Sequence, residues 1–256
     1  MRLLCIGDIM LYLIGLGLYD EKDITQRGIN AIKNCDNLYI ELYTSKWNGL
    51  ESLRMMLGKE IIEVKRSDLE ENQKKILDEA KSKKVGVLIP GDPLVATTHI
   101  DLLIQAKRSG IKTVVIHAPS IYSAVAETGL FIYKFGKTTT IPFVQEGYKP
   151  ESPYDTIKQN RENGLHTLCL LDIKERLMTP SEGLKYLLEI ECSRKERVVS
   201  EDDEVIVFSM RERSFIIYDK VNNILNRDFP TPLSLIHISE PTRLLSISYA
   251  VFCLKK

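Results

Sequence analysis

The sequence has no excess of charge of either sign. Its 256 residues include 35 basic and 35 acidic side chains, so the formal net charge is zero. A protein dedicated to binding nucleic acid normally carries a strong positive charge on at least one face. The balance argues against that class, and we expect no nucleic-acid partner.

Cysteine is scarce, and its placement excludes two kinds of site. The five cysteines, Cys5, Cys35, Cys169, Cys192 and Cys253, contain no C-x-x-C pair, and their number is odd. That pattern supports neither a zinc site nor a disulfide framework. A reducing compartment suits such a chain best. We therefore expect no metal centre and a cytoplasmic location.

Long apolar runs are missing as well. No stretch after the start approaches the length of a membrane-spanning helix. Residues 1–18 place one arginine before an apolar run, as a signal peptide does, but Asp8 interrupts the run and no small-residue cleavage site follows. We expect no membrane association. The apolar fraction of 44 % is that of a globular chain with a well-buried core.

Strand and helix patterns alternate in the first half of the chain. Apolar runs predict strands over residues 10–15, 38–43, 61–64, 85–90 and 113–117, and helical periodicity predicts helices over 25–35, 50–57, 69–80 and 98–108. Ser67 and Glu70 have the spacing of a capping box for the third helix. The alternation predicts an α/β domain over residues 10–119 with a mostly parallel sheet.

The second half has a different texture. Helices are predicted over residues 121–129, 154–163 and 180–190, and strands over 138–143, 166–171 and 204–208. We interpret residues 120–232 as a second α/β domain with a mixed sheet, hinged to the first near Pro119. No internal repeat or low-complexity tract is visible.

The most informative motif is Gly-Asp-Pro-Leu-Val-Ala-Thr-Thr-His at residues 91–99, between a predicted strand and a predicted helix. Open α/β sheets bind ligands at the carboxyl ends of their strands, where this motif is expected to lie. Gly-Asp-Pro alone is a common turn, so the motif gains weight only from its neighbours. Gly15-x-Gly17 is not a dinucleotide fingerprint, because Asp20 stands where the third glycine belongs.

Residues 233–256 have a different origin in our interpretation. The segment LSLIHISEPTR, which begins at Leu233, and the segment ISYAVFCLKK at the end resemble the translated ends of a sequencing-library adapter in one reading frame. We expect the native sequence to be cut at Pro232, with His237 carrying no functional weight. A second domain truncated there is expected to leave a sheet edge unpaired.

Taken together, several segments resemble the diphthine synthase family, and in particular its archaeal members. They are residues 10–18, 41–45, 91–99, 120–121, 133–136, 163–173 and 178–184. The match runs in order from Met10 to Pro232 at the family's spacing. The family usually begins near the position of Met10, so residues 1–9 are interpreted as a non-native leader.

The resemblance implies a fold and a reaction. The family belongs to the tetrapyrrole-methylase-like class of S-adenosylmethionine-dependent methyltransferases, which have two α/β domains with the cofactor in the cleft between them. Its members methylate the amine of a 3-amino-3-carboxypropyl histidine on translation elongation factor 2, a step of diphthamide biosynthesis. The resemblance to archaeal members implies three methyl groups, and the family implies a homodimer.

The resemblance also implies the binding residues. By position, contacts with S-adenosyl-L-methionine fall on Leu18, Asp92, Val95, Ser120, Ile121, Leu171 and Glu212. Asp92 would accept hydrogen bonds from polar groups of the cofactor, and the aliphatic side chains would bound its apolar parts. Around Glu212 the sequence Phe-Ser-Met-Arg-Glu-Arg replaces a smaller run in the family.

The proton acceptor for the amine is not assigned by sequence. His99 and His166 lie within the motifs, but a histidine beside a helix cap or at the start of a strand is more often structural. Glu41 and Tyr43 lie near the end of a predicted strand, where they could face either a cleft or solvent. Four basic residues, Lys134, Arg194, Lys195 and Arg197, are interpreted as a solvated face.

Two other functions stay open at this stage. One is a related small-molecule methyltransferase acting on a tetrapyrrole-like substrate. The other is a cofactor-binding protein without turnover, inactive through its C-terminal truncation. Methyl transfer from sulfonium to amine needs orientation and a dry site more than a dedicated acid or base, so the lack of a Ser-His-Asp set excludes neither enzyme.

Overall fold

A computed structural model describes residues 10–45, 47–173, 176–210, 214–229 and 235–238 of the chain, the last of these by backbone only. The chain divides into two compact units between Ala124 and Val125. The sequence predicts the boundary at Pro119, five residues earlier. Within the described ranges, no helix is both long and apolar enough to cross a membrane.

The first unit contains a five-stranded sheet. Its elements are β1 (Met10–Gly15), α1 (Gln26–Asn34), β2 (Asn37–Glu41), α2 (Leu50–Leu57), β3 (Ile62–Val64), α3 (Arg66–Glu70), α4 (Lys74–Glu79), β4 (Lys84–Ile89), α5 (Ile100–Arg108), β5 (Lys112–Ile116) and α6 (Ile121–Ala124). The strand order is β3-β2-β4-β1-β5, and all neighbours are parallel. The predicted parallel sheet is confirmed.

The sheet of the first unit is buried on both faces, which explains its apolar strands. Leu11 and Val87 belong to one core cluster, whereas Ile14 and Leu88 belong to another. Strands covered on both faces are apolar at successive positions rather than at alternate ones. This is why the runs over β1 and β4 are visible in the sequence.

One predicted helix start is wrong. The Ser67–Glu70 capping box does not form, since the helix already begins at Arg66 and the backbone N–H of Lys65 donates to the Asp68 carboxylate at 2.8 Å. The single helix predicted here is divided into α3 and α4. At the division, the Gln73 side chain donates to the carbonyl of Leu69 at 2.6 Å.

The second unit contains a mixed sheet, as predicted. Its elements are β6 (Thr139–Ile141), α7 (Ser152–Glu162), β7 (Thr167–Leu171), α8 (Pro180–Arg194), β8 (Glu204–Ser209), β9 (Phe215–Lys220), α9 (Val221–Leu225) and β10 (Leu235–Ile238). The order is β6-β7-β10-β8-β9, with β6 parallel to β7 and the other pairs antiparallel. The helix predicted over 121–129 is instead α6 followed by the 3₁₀ turn Val125–Thr128.

Strand β10 corrects the expectation of an unpaired sheet edge. It lies inside the adapter-like tail, yet it pairs antiparallel with both β7 and β8. The pairing is possible because ladder hydrogen bonds join backbone groups, which every segment carries whatever its origin. Its sequence, Leu-Ile-His-Ile, is also rich in strand-favouring residues. The adapter origin of the tail stays a prediction.

A largely buried ion pair ties α7 to the turn before β8. Arg161 Nη1 lies 2.7 Å from Asp203 Oδ2, and the two side chains are 18 % and 10 % exposed. The same guanidinium nitrogen donates to the carbonyl of Val198, and the Asp203 carboxylate also accepts from the Ser200 N–H. If one partner is removed, the remaining charge is largely shielded from water and has no opposite charge to stabilise it.

We expect Arg161→Met to lower the free energy of unfolding by about 3 kcal/mol, because it leaves the Asp203 carboxylate largely buried without its cation. The matched control is Lys220→Ala, which removes a pair with Asp202 whose side chains are 55 % and 90 % exposed. That change should cost less than about 1 kcal/mol. Urea unfolding of both variants measures the difference, and equal losses would contradict the argument.

Candidate active site

Three loops meet at the carboxyl edge of the parallel sheet. They follow β1, β4 and β5, and β1 lies between the other two strands. Gly17 in the first loop and Gly91 in the second form an antiparallel bridge, in which Gly91 donates to the Gly17 carbonyl at 2.8 Å and Gly17 donates back at 3.3 Å. The loops after β1 and β4 are therefore locked together.

Gly15, the last residue of β1, permits this close approach. A Cβ atom there would lie 2.7 Å from the Gly91 carbonyl oxygen, 2.7 Å from Ala118 Cβ and 3.0 Å from Pro93 Cδ. These three atoms belong to the loops after β4 and β5. The loops consequently close over a position that has room only for glycine.

Asp92 braces the same loops through its carboxylate. Its Oδ1 accepts from the Leu94 N–H at 3.0 Å, and its Oδ2 accepts from the Ala118 N–H at 3.3 Å and lies 2.7 Å from His117 Nδ1. The residue is only 6 % exposed. These contacts leave little carboxylate surface for the hydrogen bonds to a cofactor that the resemblance implies.

His117 is a site residue to which the sequence assigns no role. It directly follows β5, and its side chain is 69 % exposed while the partner carboxylate of Asp92 is 7 % exposed. The only sign of His117 in the sequence is its position at the end of a predicted strand. A histidine and an aspartate that each follow a strand of one parallel sheet lie at the same edge, but the sequence does not show which strands flank each other.

The apolar positions assigned by resemblance lie on these loops. Leu18 follows β1, Val95 follows β4 and Ile121 follows β5, and each is partly buried. The loop at Leu18 is held by Asp23, whose carboxylate accepts from the backbone N–H of Leu18 at 3.0 Å and of Tyr19 at 2.8 Å. The structure therefore brings all three assigned positions to one edge of the sheet.

Ser120 belongs to the same edge and is 7 % exposed. Its backbone is held by Ser123, whose hydroxyl accepts from the Ser120 N–H at 3.1 Å and donates to the Ser120 carbonyl at 2.8 Å. Among the described residues, nothing bonds to the Ser120 hydroxyl itself. That hydroxyl is available for a ligand.

The remaining two assigned residues belong to the second unit. Leu171 ends β7, is 4 % exposed and packs in the hydrophobic core of that unit. Its side chain therefore has a structural role in the described fold. Glu212 lies outside the described residues, so its predicted contact stays a prediction.

His99 is buried beside Tyr43, which favours the structural interpretation of this histidine. Its Nε2 lies 3.3 Å from the Tyr43 hydroxyl, and the residue is 1 % exposed. Burial lowers the pKa of His99 to about 4, although the nearby negative charge of Glu70 acts in the opposite direction.

Glu41 is also fully buried, and burial raises its pKa although its carboxylate accepts hydrogen bonds from the N–H groups of Tyr43 and Thr44.

The other candidate histidine, His166, is partly buried in the second unit. Its ring centroid lies 5.5 Å from that of Phe135, and its backbone exchanges hydrogen bonds with Lys134 and Gly136. Burial lowers the pKa of His166. These contacts give the residue a packing role where the chain enters β7.

The four basic residues that the sequence assigns to a solvated face are Lys134, Arg194, Lys195 and Arg197. Arg194 pairs with Asp155 at 2.6 Å and with Glu151 at 3.2 Å, and its own side chain is 23 % exposed. Its charge is therefore already matched within the unit. The other three, Lys134, Lys195 and Arg197, are exposed. This arrangement agrees with a solvated face.

The chain also matches a known protein family. Residues 10–209 match the tetrapyrrole (corrin/porphyrin) methylases. The chain belongs to the tetrapyrrole methylase family. It is therefore a methyltransferase and needs a methyl donor. The match covers the whole first unit described here and the second as far as the end of β8.

Similar proteins carry a more specific name. The chain is 48 % identical over 238 residues to diphthine synthase of Methanocaldococcus jannaschii, covering 90 % of this chain and 93 % of that protein. It is also 48 % identical to diphthine synthase of Methanococcus maripaludis over 90 % of this chain and 92 % of that one. A crystal structure of diphthine synthase matches with a TM-score of 0.85 at 34 % identity, covering 95 % of this chain and 94 % of that one.

We expect Gly15→Ala to lower the free energy of unfolding by about 2 kcal/mol, because overpacking of a close contact typically costs this much. The control is Gly110→Ala, at φ +74° with no atom within 4 Å of the added Cβ. It should cost about 1 kcal/mol from backbone strain alone. Urea unfolding compares them, and a Gly15 variant no less stable than the control would refute the close approach.

The burial of His99 makes stability depend on pH. Its pKa is about 4 in the folded chain, against 6.5 ordinarily, so the unfolded chain binds this proton first as pH falls. This difference in pKa contributes about 3 kcal/mol to the free energy of unfolding above pH 6.5. The contribution is lost as the pH falls towards 4. His99→Gln should flatten this fall in urea unfolding. Tyr43→Phe keeps the imidazole and should keep the slope; identical slopes in all three proteins would refute the assignment.

Proposed function

We propose that the chain is an S-adenosyl-L-methionine-dependent N-methyltransferase of the diphthine synthase type. The proposed substrate is the amine of the 3-amino-3-carboxypropyl histidine of translation elongation factor 2, and the reaction belongs to diphthamide biosynthesis. The similarity to diphthine synthases at 48 % identity over 90 % of the chain carries this proposal. The locked loops at the carboxyl edge of the parallel sheet support it, since open α/β sheets bind ligands there.

The loops of the first unit fit the proposed methyl donor. Leu18, Val95 and Ile121 offer partly buried apolar surface, and the Ser120 hydroxyl is unpartnered within the described part of the chain. A Cβ on Gly91 would meet no atom within 4 Å, so this loop leaves open space beside its backbone. Asp92 serves by holding the loops in place. Leu171 and Glu212 stay in the proposal on the resemblance alone.

Because the donor already carries a reactive methyl group, the main task of the protein is to bind and orient the two reactants. S-adenosylmethionine supplies an electrophilic methyl group, so that the nitrogen–carbon bond forms while the carbon–sulfur bond breaks and its electrons stay on sulfur. The residues of the chain must position the amine and exclude water from it. A rigid loop edge built from Gly15, Gly17 and Gly91 is suited to that task, because its backbone cannot shift without breaking the Gly17–Gly91 pair.

Three finer points belong to the same proposal. The features that resemble archaeal members favour addition of three methyl groups. A translation factor as substrate favours a cytoplasmic location, which also suits the free thiols of Cys35, Cys169 and Cys192. A homodimer is proposed from the resemblance, and analytical ultracentrifugation tests it.

The substrate is tested with elongation factor 2 purified from cells that lack this enzyme. Incubation with the protein and S-adenosylmethionine should raise the mass of the modified histidine peptide by whole methyl groups, up to three. Methylation of a tetrapyrrole instead of the peptide would select the small-molecule alternative. Calorimetric binding of S-adenosylmethionine without any methyl transfer would select the binding protein.

Ser120→Ala tests the donor site. We expect it to weaken S-adenosylmethionine binding by about three- to tenfold, the worth of one hydrogen bond, while thermal stability stays nearly unchanged. Isothermal titration calorimetry and thermal unfolding measure the two effects. The matched control is Ser123→Ala, which removes the bonds that hold the Ser120 backbone and should therefore lower stability. Unchanged affinity in the Ser120 variant would remove this hydroxyl from the proposed site.

A further inference from the structure

We propose that His117 accepts the proton that the substrate amine loses before methylation, and that Asp92 holds the imidazole ring for this task. The inference rests on the proposed function, because it takes an amine as the methyl acceptor. It deepens that proposal by giving a chemical role to His117, for which the sequence analysis predicts none. It also gives the buried carboxylate of Asp92 a purpose other than binding the donor.

The first argument is the geometry of the pair. His117 Nδ1 lies 2.7 Å from Asp92 Oδ2, a distance typical of a charge-assisted hydrogen bond. An ionised carboxylate can only accept hydrogen bonds, so Nδ1 carries the hydrogen. The lone pair of the neutral ring is then on Nε2, at the end of the imidazole away from Asp92. This is the tautomer that a proton acceptor needs.

The second argument is the contrast in exposure within the pair. The imidazole side chain is 69 % exposed, whereas the carboxylate side chain is 7 % exposed. A surface ion pair without a function usually leaves both partners in water and adds little to stability. Here the orienting carboxylate is buried and the imidazole is presented outward, which suits exchange of a proton with a ligand and then with solvent.

The third argument is the rigidity of the support. The Asp92 carboxylate also accepts from the backbone N–H groups of Leu94 and Ala118. Its position is therefore set by two loops and does not depend on the histidine. His117 is attached at the end of β5, directly before Ala118. The ring is thus anchored at both its backbone and its Nδ1 atom, next to the proposed donor residues Ser120 and Ile121.

The other described histidines suit this task less well. His99 is 1 % exposed and contacts Tyr43 in the interior of the first unit. His166 is partly buried against Phe135 in the second unit. Among the histidines whose side chains the structure describes, His117 is the exposed one.

The proton balance of the reaction is simple. A protonated amine gives one proton to His117 Nε2, and the electrons of that nitrogen–hydrogen bond remain on the amine as its lone pair. The lone pair then takes the methyl group, and the nitrogen is again cationic. The imidazolium of His117 passes its proton to water through its exposed face. One proton leaves for each methyl group added, so His117 returns to the same neutral state after every round.

Two substitutions separate a chemical role from a structural one. His117→Asn places an amide N–H near the position of Nδ1 and so can keep the bond to Asp92, but it has no basic nitrogen. His117→Ala loses both. We expect both variants to lower kcat about 100-fold or more on elongation factor 2, as loss of a general base does. Their Kd for S-adenosylmethionine should stay within about threefold of wild type, because a hydrogen bond lost at a neighbouring exposed side chain is worth little.

Two further measurements do not depend on comparing turnover with donor affinity in the His117 variants. Added imidazole should restore part of the turnover of His117→Ala, since it can enter the space left by the side chain. Long-range proton–nitrogen NMR of the wild-type protein should show the neutral His117 ring protonated on Nδ1. A ring protonated on Nε2 would overturn the proposal, because no free lone pair would then face outward.

The remaining outcomes are also decisive. If the wild-type protein methylates elongation factor 2 and His117→Asn retains wild-type turnover, His117 only braces the loop and the inference fails while the proposed function stands. If both variants lose donor affinity in proportion to turnover, the role is structural and the inference again fails. If the wild-type protein binds the donor but transfers no methyl group to the factor, the proposed function fails, and the inference falls with it.

Discussion

The close approach of the loops after β4 and β5 over Gly15 is the constraint on which the site depends. The Gly91 carbonyl and the side chain of Ala118 occupy the space that any larger residue at Gly15 would need. Because these loops follow β4 and β5, which flank β1, their separation is set by the spacing of the sheet. The Gly17–Gly91 bridge and the Asp92 carboxylate then complete a rigid edge, in which Gly17 and Gly91 bond through their backbones and the Ala118 N–H donates to Asp92.

A rigid edge suits the chemistry that the family performs. Methyl transfer gains most from holding donor and acceptor in line, and a preorganised backbone provides that without moving during the reaction. The one step that needs an acid–base group is loss of a proton from the amine. Asp92 and His117 bring a fixed imidazole to the same edge, so the group that stabilises the loops also orients the proposed proton acceptor.

The second sheet shows that a strand position can be filled by segments of different sequence. β10 occupies the place between β7 and β8 although it lies in the segment for which we predict an adapter origin. Backbone hydrogen bonds are common to all sequences, so an apolar, strand-favouring segment of the right length can satisfy both neighbours. For the same reason, the pairing of β10 says nothing about its origin.

The sequence by itself determined the strands and most of the helices of the first unit, the mixed character of the second sheet and the position of the Gly-Asp-Pro loop. It could do so because strands buried on both faces are continuously apolar and because turns use glycine and proline for local steric reasons. Helix caps such as Thr25, which accepts from the Gly28 N–H at 3.0 Å, are equally local. The split between α3 and α4 was not predicted, since it depends on contacts that periodicity does not show.

Only the tertiary structure decided which distant residues meet. Asp92 and His117 are separated by 25 positions and become neighbours because β1 lies between β4 and β5, an order that hydrophobic pattern does not encode. The burial of His99 and the core position of Leu171 were likewise decided by packing. Local patterns report which face of an element is apolar, whereas a site requires the spatial order of the elements, and that order comes from the packing of the whole sheet.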